Sequence, residues 1–211
     1  MRRLLIILPA LVVAGCAASP SDPVVVPFES PAAIQAKPMT PGLFASGGAQ
    51  TGMADTIAEG TFEAKSTTAI TYEPRIVPAG AAAHVTMTPV ATGMQVRLAV
   101  TGMLPRRTYG AHLHTMPCVA GAPASAGPHY QHNADPSKPS VDPSFANPAN
   151  EVWLDFTADR LGAATATAVL TWAFDELKPP RSLVVHTART RTEEGFAGTA
   201  GERVACLTLP G

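Results

Sequence analysis

Four of the six histidines in this 211-residue chain stand where their side chains could share one metal ion. His112 and His114 belong to a short β-rich segment, in which residues i and i+2 point to the same face. His129 follows inside a long Pro- and Ser-rich stretch, and His186 ends an apolar run, residues 183–185. Three or four neutral imidazoles suit copper, zinc or nickel. The spacing predicts a metal site that a loop and a second strand complete.

Each histidine also has an ordinary structural explanation. A His-x-His pair on a strand can be exposed or hydrogen-bonded, and a single residue such as His186 is often buried with its hydrogen bonds made. His132 and His84 fit such explanations best, as a surface loop residue and a residue of an early strand. The metal interpretation therefore depends on three separate segments bringing imidazoles to one place.

The composition excludes several classes of protein. Lys+Arg number 15 and Asp+Glu number 16, so the formal charge is −1, and aromatic residues make up 6% of the chain. Without a basic field or many stacking side chains, nucleic-acid binding is not expected. The 21 prolines and 17 glycines indicate a turn-rich chain instead of a helical bundle.

The N-terminus has the pattern of a secretory signal. Arg2 and Arg3 precede an apolar stretch, residues 4–13, and small residues then lead to Cys16. One interpretation is an ordinary signal peptide with an incidental cysteine. The position of the cysteine favours another, because it resembles bacterial lipoprotein signals, in which residues 1–15 are removed and Cys16 is lipidated. We therefore expect an extracytoplasmic protein, lipid-anchored at the bacterial cell membrane.

The rest of the chain divides into two parts. Residues 16–60 are rich in Pro, Gly and Ala without a sustained apolar period, which is typical of a flexible tether. In residues 61–211 short β-rich runs alternate with Pro- and Gly-containing turns, which predicts an all-β sandwich or barrel of about eight strands. The predicted strands are residues 69–73, 84–88, 94–101, 109–114, 152–157, 163–171, 182–187 and 203–209.

Two connections in this domain, residues 115–150 and 188–202, are unusually long. Long loops in a compact domain are usually functional or disordered, and we expect both of these to be functional. The cysteines fit an oxidising compartment. If Cys16 carries lipid, Cys118 and Cys206 remain, either as one pair or as two buried free thiols.

Five segments, in order, resemble the copper,zinc superoxide dismutases. They are Gly-Ala-His-Leu-His at 110–114, Cys118, Ala-Gly-Pro-His at 126–129, Leu-Val-Val-His at 183–186 and Ala-Gly-Glu-Arg-Val-Ala-Cys at 200–206. The resemblance extends over about residues 61–211 and is most specific in the last segment. It implies an eight-stranded Greek-key β-sandwich or barrel that converts superoxide into hydrogen peroxide and dioxygen.

The resemblance also assigns roles to single residues. It implies copper ligands at His112, His114, His129 and His186. It implies a disulfide between Cys118 and Cys206, which would tie a loop at the site to the last strand. It further implies that Arg203 lines the approach to copper and attracts the superoxide anion, while His129 takes up and delivers a proton.

The zinc site of that family is expected to be missing here. The family binds zinc with a histidine shared with copper, two further histidines and an aspartate. In this chain only His132 stands between His129 and His186. In the best register Ala149 and Val152 take two of the ligand positions, and neither side chain can bind a metal.

A further family position has changed. Thr190 stands where the family has an acidic residue that links the two metal subsites. A rebuilt site from His132, Asp135 and Asp142 is the alternative, since carboxylates do bind zinc. These losses keep a second function open, a superoxide-dismutase-like copper-binding or structural surface lipoprotein without significant turnover. The presence of Arg203 and all four copper-type histidines favours the enzyme.

Overall fold

A computed structural model describes residues 55–211, which form two antiparallel β-sheets and one short 3₁₀ turn, Pro123–Ala126. The strands in chain order are β1 (Thr56–Thr61), β2 (Ala69–Thr71), β3 (Ala82–Val90), β4 (Gly93–Thr101), β5 (Thr108–His114), β6 (Phe156–Thr157), β7 (Ala164–Leu170), β8 (Ser182–His186) and β9 (Arg203–Thr208). The first sheet has the order β1-β3-β4-β7, and the second has the order β2-β9-β8-β5-β6. Five connections pass between the sheets, as in Greek-key sandwiches: β1 to β2, β2 to β3, β4 to β5, β6 to β7 and β7 to β8.

Alternation along the strands builds one core between the sheets. On β4 every second side chain is buried, and the residues between them face outward. The inward residues of β4 are Met94, Val96, Leu98 and Val100. They belong to the same apolar cluster as the inward residues of the second sheet, Ala111, Leu113, Leu183, Val185, Ala205 and Leu207. Burial of both inner faces is what holds the sandwich together.

The second sheet is covered on its outer face as well. All five residues of β8 are buried, and a second apolar cluster with Val184, Ile70 and Ala126 lies on that side. The cover comes from the long connection between β5 and β6, whose 3₁₀ turn contributes Ala126. A strand buried on both faces has a continuous apolar sequence, which explains residues 183–185.

The all-β prediction is confirmed, and the structure selects the sandwich. The sheets are not closed into a barrel: within residues 55–211 no ladder joins one sheet to the other. The physical reason lies at the edges of the second sheet, because β2 has only three residues and β6 only two. The strand predicted at 152–157 is confined to β6, while the other seven predicted strands are present.

One strand was not predicted. In β1 a single residue, Ala58, is fully buried, so its sequence lacks a clear apolar period. Gly60 has no side chain there because a Cβ would lie 2.6 Å from that of Ala69. The β domain therefore starts before the predicted boundary at residue 61, and β1 takes in residues 56–60 of the predicted tether.

The predicted signal peptide, Cys16 and the tether up to residue 54 lie outside the described residues. Within residues 55–211 no helix is long and apolar enough to cross a membrane.

Candidate metal centre

Strand pairing places three of the four histidines on the outer face of the second sheet. His112 and His114 alternate along β5 with residues that point into the core. His186 ends β8, where it pairs with Gly110 of β5. Because β5 and β8 are adjacent and antiparallel, the register brings His186 beside the His112–His114 pair.

His129 reaches the same face from the loop that follows β5. The chain returns antiparallel to β5, with a bridge between His129 and His114 and a hydrogen bond from the Tyr130 amide to the strand. Gly127 begins this return with a φ of +75°, a conformation that glycine adopts without strain. A side chain at Gly127 would also collide with Thr115 and Met116.

The four imidazoles face one another. The ring centroid of His129 lies 4.0 Å from that of His112 and 4.8 Å from that of His114. The centroids of the other four pairs of rings are 5.0 to 6.4 Å apart. One ligand nitrogen of each ring lies within 4.8 Å of the others. In the part of the chain that the structure describes, this is the only group of three or more potential metal ligands.

Each ring has one nitrogen held by the protein. These contacts are His112 Nε2 with Thr190 Oγ1 at 2.7 Å, His114 Nδ1 with the Gly127 carbonyl at 3.0 Å, His129 Nδ1 with Glu151 Oε2 at 2.8 Å, and His186 Nδ1 with the Gly201 carbonyl at 3.3 Å. The remaining nitrogens of His112, His114 and His186 are buried without any partner. Such groups cost free energy unless something binds them, so three of them together indicate a metal ion.

Burial keeps these imidazoles neutral. Burial, reinforced by the neighbouring histidines, holds the pKa of His112 and of His114 well below the usual value. Burial also lowers the pKa of His186 to about 3, and His129 contributes in the same direction. The neutral form of imidazole is the one that binds metal ions, so these nitrogens are available at neutral pH.

A cavity of about 310 Å³ opens beside the cluster. His129, His186 and Glu151 line it, together with two cationic side chains, Arg203 and Lys138. Lys138 lies in the first long loop, and sequence analysis did not identify it. The two long loops therefore both contribute to the cavity, since residues 198–201 of the second loop also line it.

The position of Arg203 is set by backbone carbonyls. Its guanidinium donates hydrogen bonds to the carbonyl oxygens of Pro123 (3.0 Å), Ala124 (3.2 Å) and Gly127 (2.7 Å). The Gly127 carbonyl also faces Nδ1 of His114. One carbonyl thus links the cation of the cavity to a histidine of the cluster.

The disulfide between Cys118 and Cys206 is confirmed, with an S–S distance of 2.06 Å. Both cysteines are buried in the apolar cluster on the outer face of the second sheet. The bond ties the loop that carries residues 123–127 to β9, three positions beyond Arg203. It anchors the carbonyls that hold the guanidinium.

Residues 81–208, more than half of the chain, match the family described as copper/zinc superoxide dismutase (SODC). The chain belongs to this family. The match includes all four clustered histidines, both cysteines of the disulfide and Arg203, so the family resemblance found in the sequence is confirmed. A search of curated proteins finds no match.

Similar solved structures have low sequence identity to this member of the family. The copper/zinc superoxide dismutase from Brucella abortus is 16% identical, with a TM-score of 0.49, over 74% of this chain and 100% of that chain. A double mutant of a superoxide-dismutase-like protein from Bacillus subtilis is 17% identical, with a TM-score of 0.46, and the match covers 61% of this chain and 88% of that chain. A single mutant of the same protein is 16% identical, with a TM-score of 0.47, and the match covers 61% of this chain and 90% of that chain.

His129, which stands at the position of the histidine that the family shares between copper and zinc, contacts a buried carboxylate in this chain. Glu151, 1% exposed, accepts hydrogen bonds from His129 Nδ1 (2.8 Å), Trp153 Nε1 (2.7 Å) and Gln131 Nε2 (2.8 Å). Sequence analysis did not identify Glu151. The available signal was an acidic residue directly before an apolar, alternating stretch, where an unpaired charge would be costly.

The alternative zinc ligands do not come together. His132 is exposed and stacks on Trp172, with ring centroids 4.8 Å apart. Asp135 accepts hydrogen bonds from Ser137 and Ser140, and Asp142 accepts one from the Ser144 amide. These carboxylates organise turns of the first long loop. At the two expected ligand positions, Val152 is buried and Ala149 offers only its carbonyl, which accepts a hydrogen bond from Trp172.

Proposed function

We propose that this protein is an extracytoplasmic, copper-dependent superoxide dismutase. The observation that carries the proposal is the cluster of four imidazoles, three of them with a buried, unpartnered nitrogen, in a member of this family. Of the two metals named in the family description, zinc does not change its oxidation state, whereas copper does and suits imidazole ligands, so the proposed redox activity uses copper.

The donor set fits such an ion. The free nitrogens are Nδ1 of His112 and Nε2 of His114 and His186, and Nε2 is the nitrogen of His129 that Glu151 leaves free. A bound copper ion supplies the one-electron oxidation and reduction by which two superoxide anions and two protons become dioxygen and hydrogen peroxide.

Arg203 attracts and orients the anionic substrate. Its charge lines the cavity beside His129 and His186, and three carbonyls hold it in place, so little side-chain entropy is lost when an anion binds. Lys138 supplies a second positive charge to the cavity. A local positive field raises the encounter rate with superoxide even though the formal charge of the chain is −1.

His129 handles the proton. It lines the cavity and is less buried than the other three histidines. Glu151 occupies its Nδ1, so Nε2 is the only nitrogen at which this side chain would bind the metal or take up a proton, and it would do one or the other at a time. The same contact supports the proposal that the chain binds copper without zinc, because the nitrogen that would face a zinc ion is engaged by a carboxylate.

Replacement of one ligand tests the copper site. We expect purified wild type to bind about one copper ion and little zinc per chain and to consume superoxide. His114→Ala should lose copper affinity by more than about tenfold and lose activity. The control is His132→Ala, because His132 lies outside the cluster. Full copper occupancy and activity in His114→Ala would refute the assignment, and stoichiometric zinc that resists mild chelation would refute the copper-only site.

The second candidate is a copper-binding or structural surface protein without turnover. The observation in its favour is that Glu151 contacts the nitrogen of His129 that would bind zinc in the family, so the usual zinc site is lost. It predicts a wild type that binds copper tightly and consumes superoxide no faster than free buffer. A superoxide-consumption assay on copper-loaded protein separates the two candidates.

We also propose that Cys16 carries a lipid and anchors the protein at the outer side of the bacterial cell membrane. The signal-like residues 1–15 and the disulfide, which is typical of an oxidising compartment, support this. Cells grown with a labelled fatty acid should label wild type, while Cys16→Ala should remain unlabelled. Equal labelling of the two proteins would refute the anchor.

A further inference from the structure

His112 is bound on its outer side by a threonine, and the threonine is bound by an aspartate. Thr190 Oγ1 lies 2.7 Å from Nε2 of His112 and 2.6 Å from Oδ1 of Asp155. The Thr190 amide also donates to Oδ2 of Asp155, at 2.8 Å, and the Ala111 amide donates to Oδ1, at 3.2 Å. His112 and Thr190 are both buried, so water does not replace these contacts.

The chemistry of these groups gives the chain of hydrogen bonds a direction. A carboxylate only accepts, so the single hydroxyl proton of Thr190 is donated to Asp155. The hydroxyl oxygen is then left as an acceptor towards His112, and Nε2 of the imidazole must donate. A neutral imidazole carries one N–H, so Nδ1 keeps its lone pair. Nδ1 of His112 is the buried nitrogen without a partner in the histidine cluster.

The backbone makes room for this arrangement at one position. A Cβ on Gly110 would lie 2.6 Å from the Ala188 carbonyl, 2.6 Å from the Ala200 Cβ and 3.3 Å from Thr190 Oγ1. Glycine on β5 therefore lets the second long loop approach the strand closely. The approach brings Thr190 within hydrogen-bond distance of a histidine 78 residues earlier in the chain.

We propose that Thr190 is a positioning residue that, with Asp155 behind it, holds His112 as the Nε2–H tautomer and aims Nδ1 at the metal. The proposal rests on the proposed metal centre. In this role the Thr190 hydroxyl acts through its hydrogen bonds, and the packing of the branched side chain is not what positions His112. The acidic residue of the family at this position is replaced by a hydroxyl whose carboxylate partner, Asp155, lies directly before β6.

Two matched variants separate the hydroxyl from the shape. Thr190→Val keeps the branched side chain and removes the hydroxyl, whereas Thr190→Ser keeps the hydroxyl. In metal-free protein, imidazole ¹⁵N NMR reports which nitrogen carries the proton. We expect Nε2–H at His112 in wild type and in Thr190→Ser, and a mixture of tautomers or Nδ1–H in Thr190→Val. Copper affinity, measured by competition with a chelator, should fall about 10- to 100-fold in Thr190→Val alone.

The tautomer measurement does not require copper or turnover. Nδ1–H at His112 in wild-type metal-free protein would overturn the proposal without any variant, even if Thr190→Val failed to fold. An unchanged tautomer and a copper affinity within twofold of wild type in folded Thr190→Val would overturn it as well. If the tautomer responds as expected but the protein neither binds copper nor consumes superoxide, the positioning role stands and the proposed function fails.

Discussion

The carboxylate of Glu151 lies 2.8 Å from Nδ1 of His129, and the two residues are 22 positions apart in the chain. This contact orients the only histidine of the cluster that a loop contributes. Trp153 and Gln131 donate to the same carboxylate, so the loop and the segment before β6 converge on one buried acceptor. The geometry of the metal centre therefore depends on a residue that does not belong to the ligand set.

Glu151→Gln should weaken both the fold and the metal centre. A glutamine has one acceptor oxygen, so its amide group would oppose at least one of the three donors and leave it unpaired. We expect a loss of about 1–3 kcal/mol in the free energy of unfolding and a copper affinity lowered about 10-fold or more. Urea unfolding and chelator competition measure these changes. Exposed Glu193 provides the control, Glu193→Gln, and equal behaviour of the two variants would contradict the prediction.

Arg203→Ala should slow superoxide capture while copper remains bound. Loss of the fixed charge should lower kcat/KM about tenfold at low ionic strength and make the rate less sensitive to added salt. Arg189→Ala is the matched control, because Arg189 is exposed and does not line the cavity. Stopped-flow superoxide consumption over a range of salt concentrations tests this. A salt dependence as steep as that of wild type would show that Arg203 does not steer the anion.

The metal-free protein should lose stability in mild acid. His186 has a pKa of about 3 in the folded state, whereas an unfolded chain titrates near pH 6.5. Between these values the unfolded state binds a proton that the folded state does not, so the free energy of unfolding falls as pH decreases. The loss begins near pH 6.5 and reaches up to about 1.4 kcal/mol per pH unit for this group. Burial of His112 and His114 acts in the same direction.

Urea unfolding of metal-free protein at pH 7.5 and pH 5.5 measures this effect. His186→Gln removes one of the titrating groups, so its stability should change less with pH than that of wild type. His132→Gln, which changes an exposed histidine, should keep the wild-type slope. A wild-type protein equally stable at both pH values would contradict the assignment of neutral, buried imidazoles.

Removal of the disulfide should destabilise the fold without creating a free thiol. The double variant Cys118→Ala/Cys206→Ala opens a loop of 88 residues, for which loop entropy predicts a loss of about 4.6 kcal/mol. The 123–127 carbonyls that hold Arg203 should lose their anchor at the same time. Thermal unfolding measures the stability, and reduction of wild type should give a similar decrease. A double variant as stable as wild type would mean that the packing of the loop alone holds it in place.

The local periodicity of apolar residues was sufficient to predict most of the strands of this domain. The alternation of apolar and polar residues along β4 predicted a half-buried strand, and the period of two placed His112 and His114 on one face. The weak pattern of β1 hid a strand, because a single buried alanine does not form a recognisable period. Whether the domain is a sandwich or a barrel depended on whether the edge strands of the two sheets pair with each other. That pairing joins distant segments of the chain, so the sequence pattern did not decide it.

The sequence by itself determined which residues could bind a metal and which cysteines could pair, because those properties belong to residue types and short motifs. Only the tertiary structure decided what holds the ligands in place. Glu151 faces His129 across 22 residues, and Thr190 connects Asp155 to His112 across 35 and 78 residues. A buried polar group must find its partner wherever the fold brings one within about 3 Å, and strand periodicity carries no information about contacts between residues far apart in the chain.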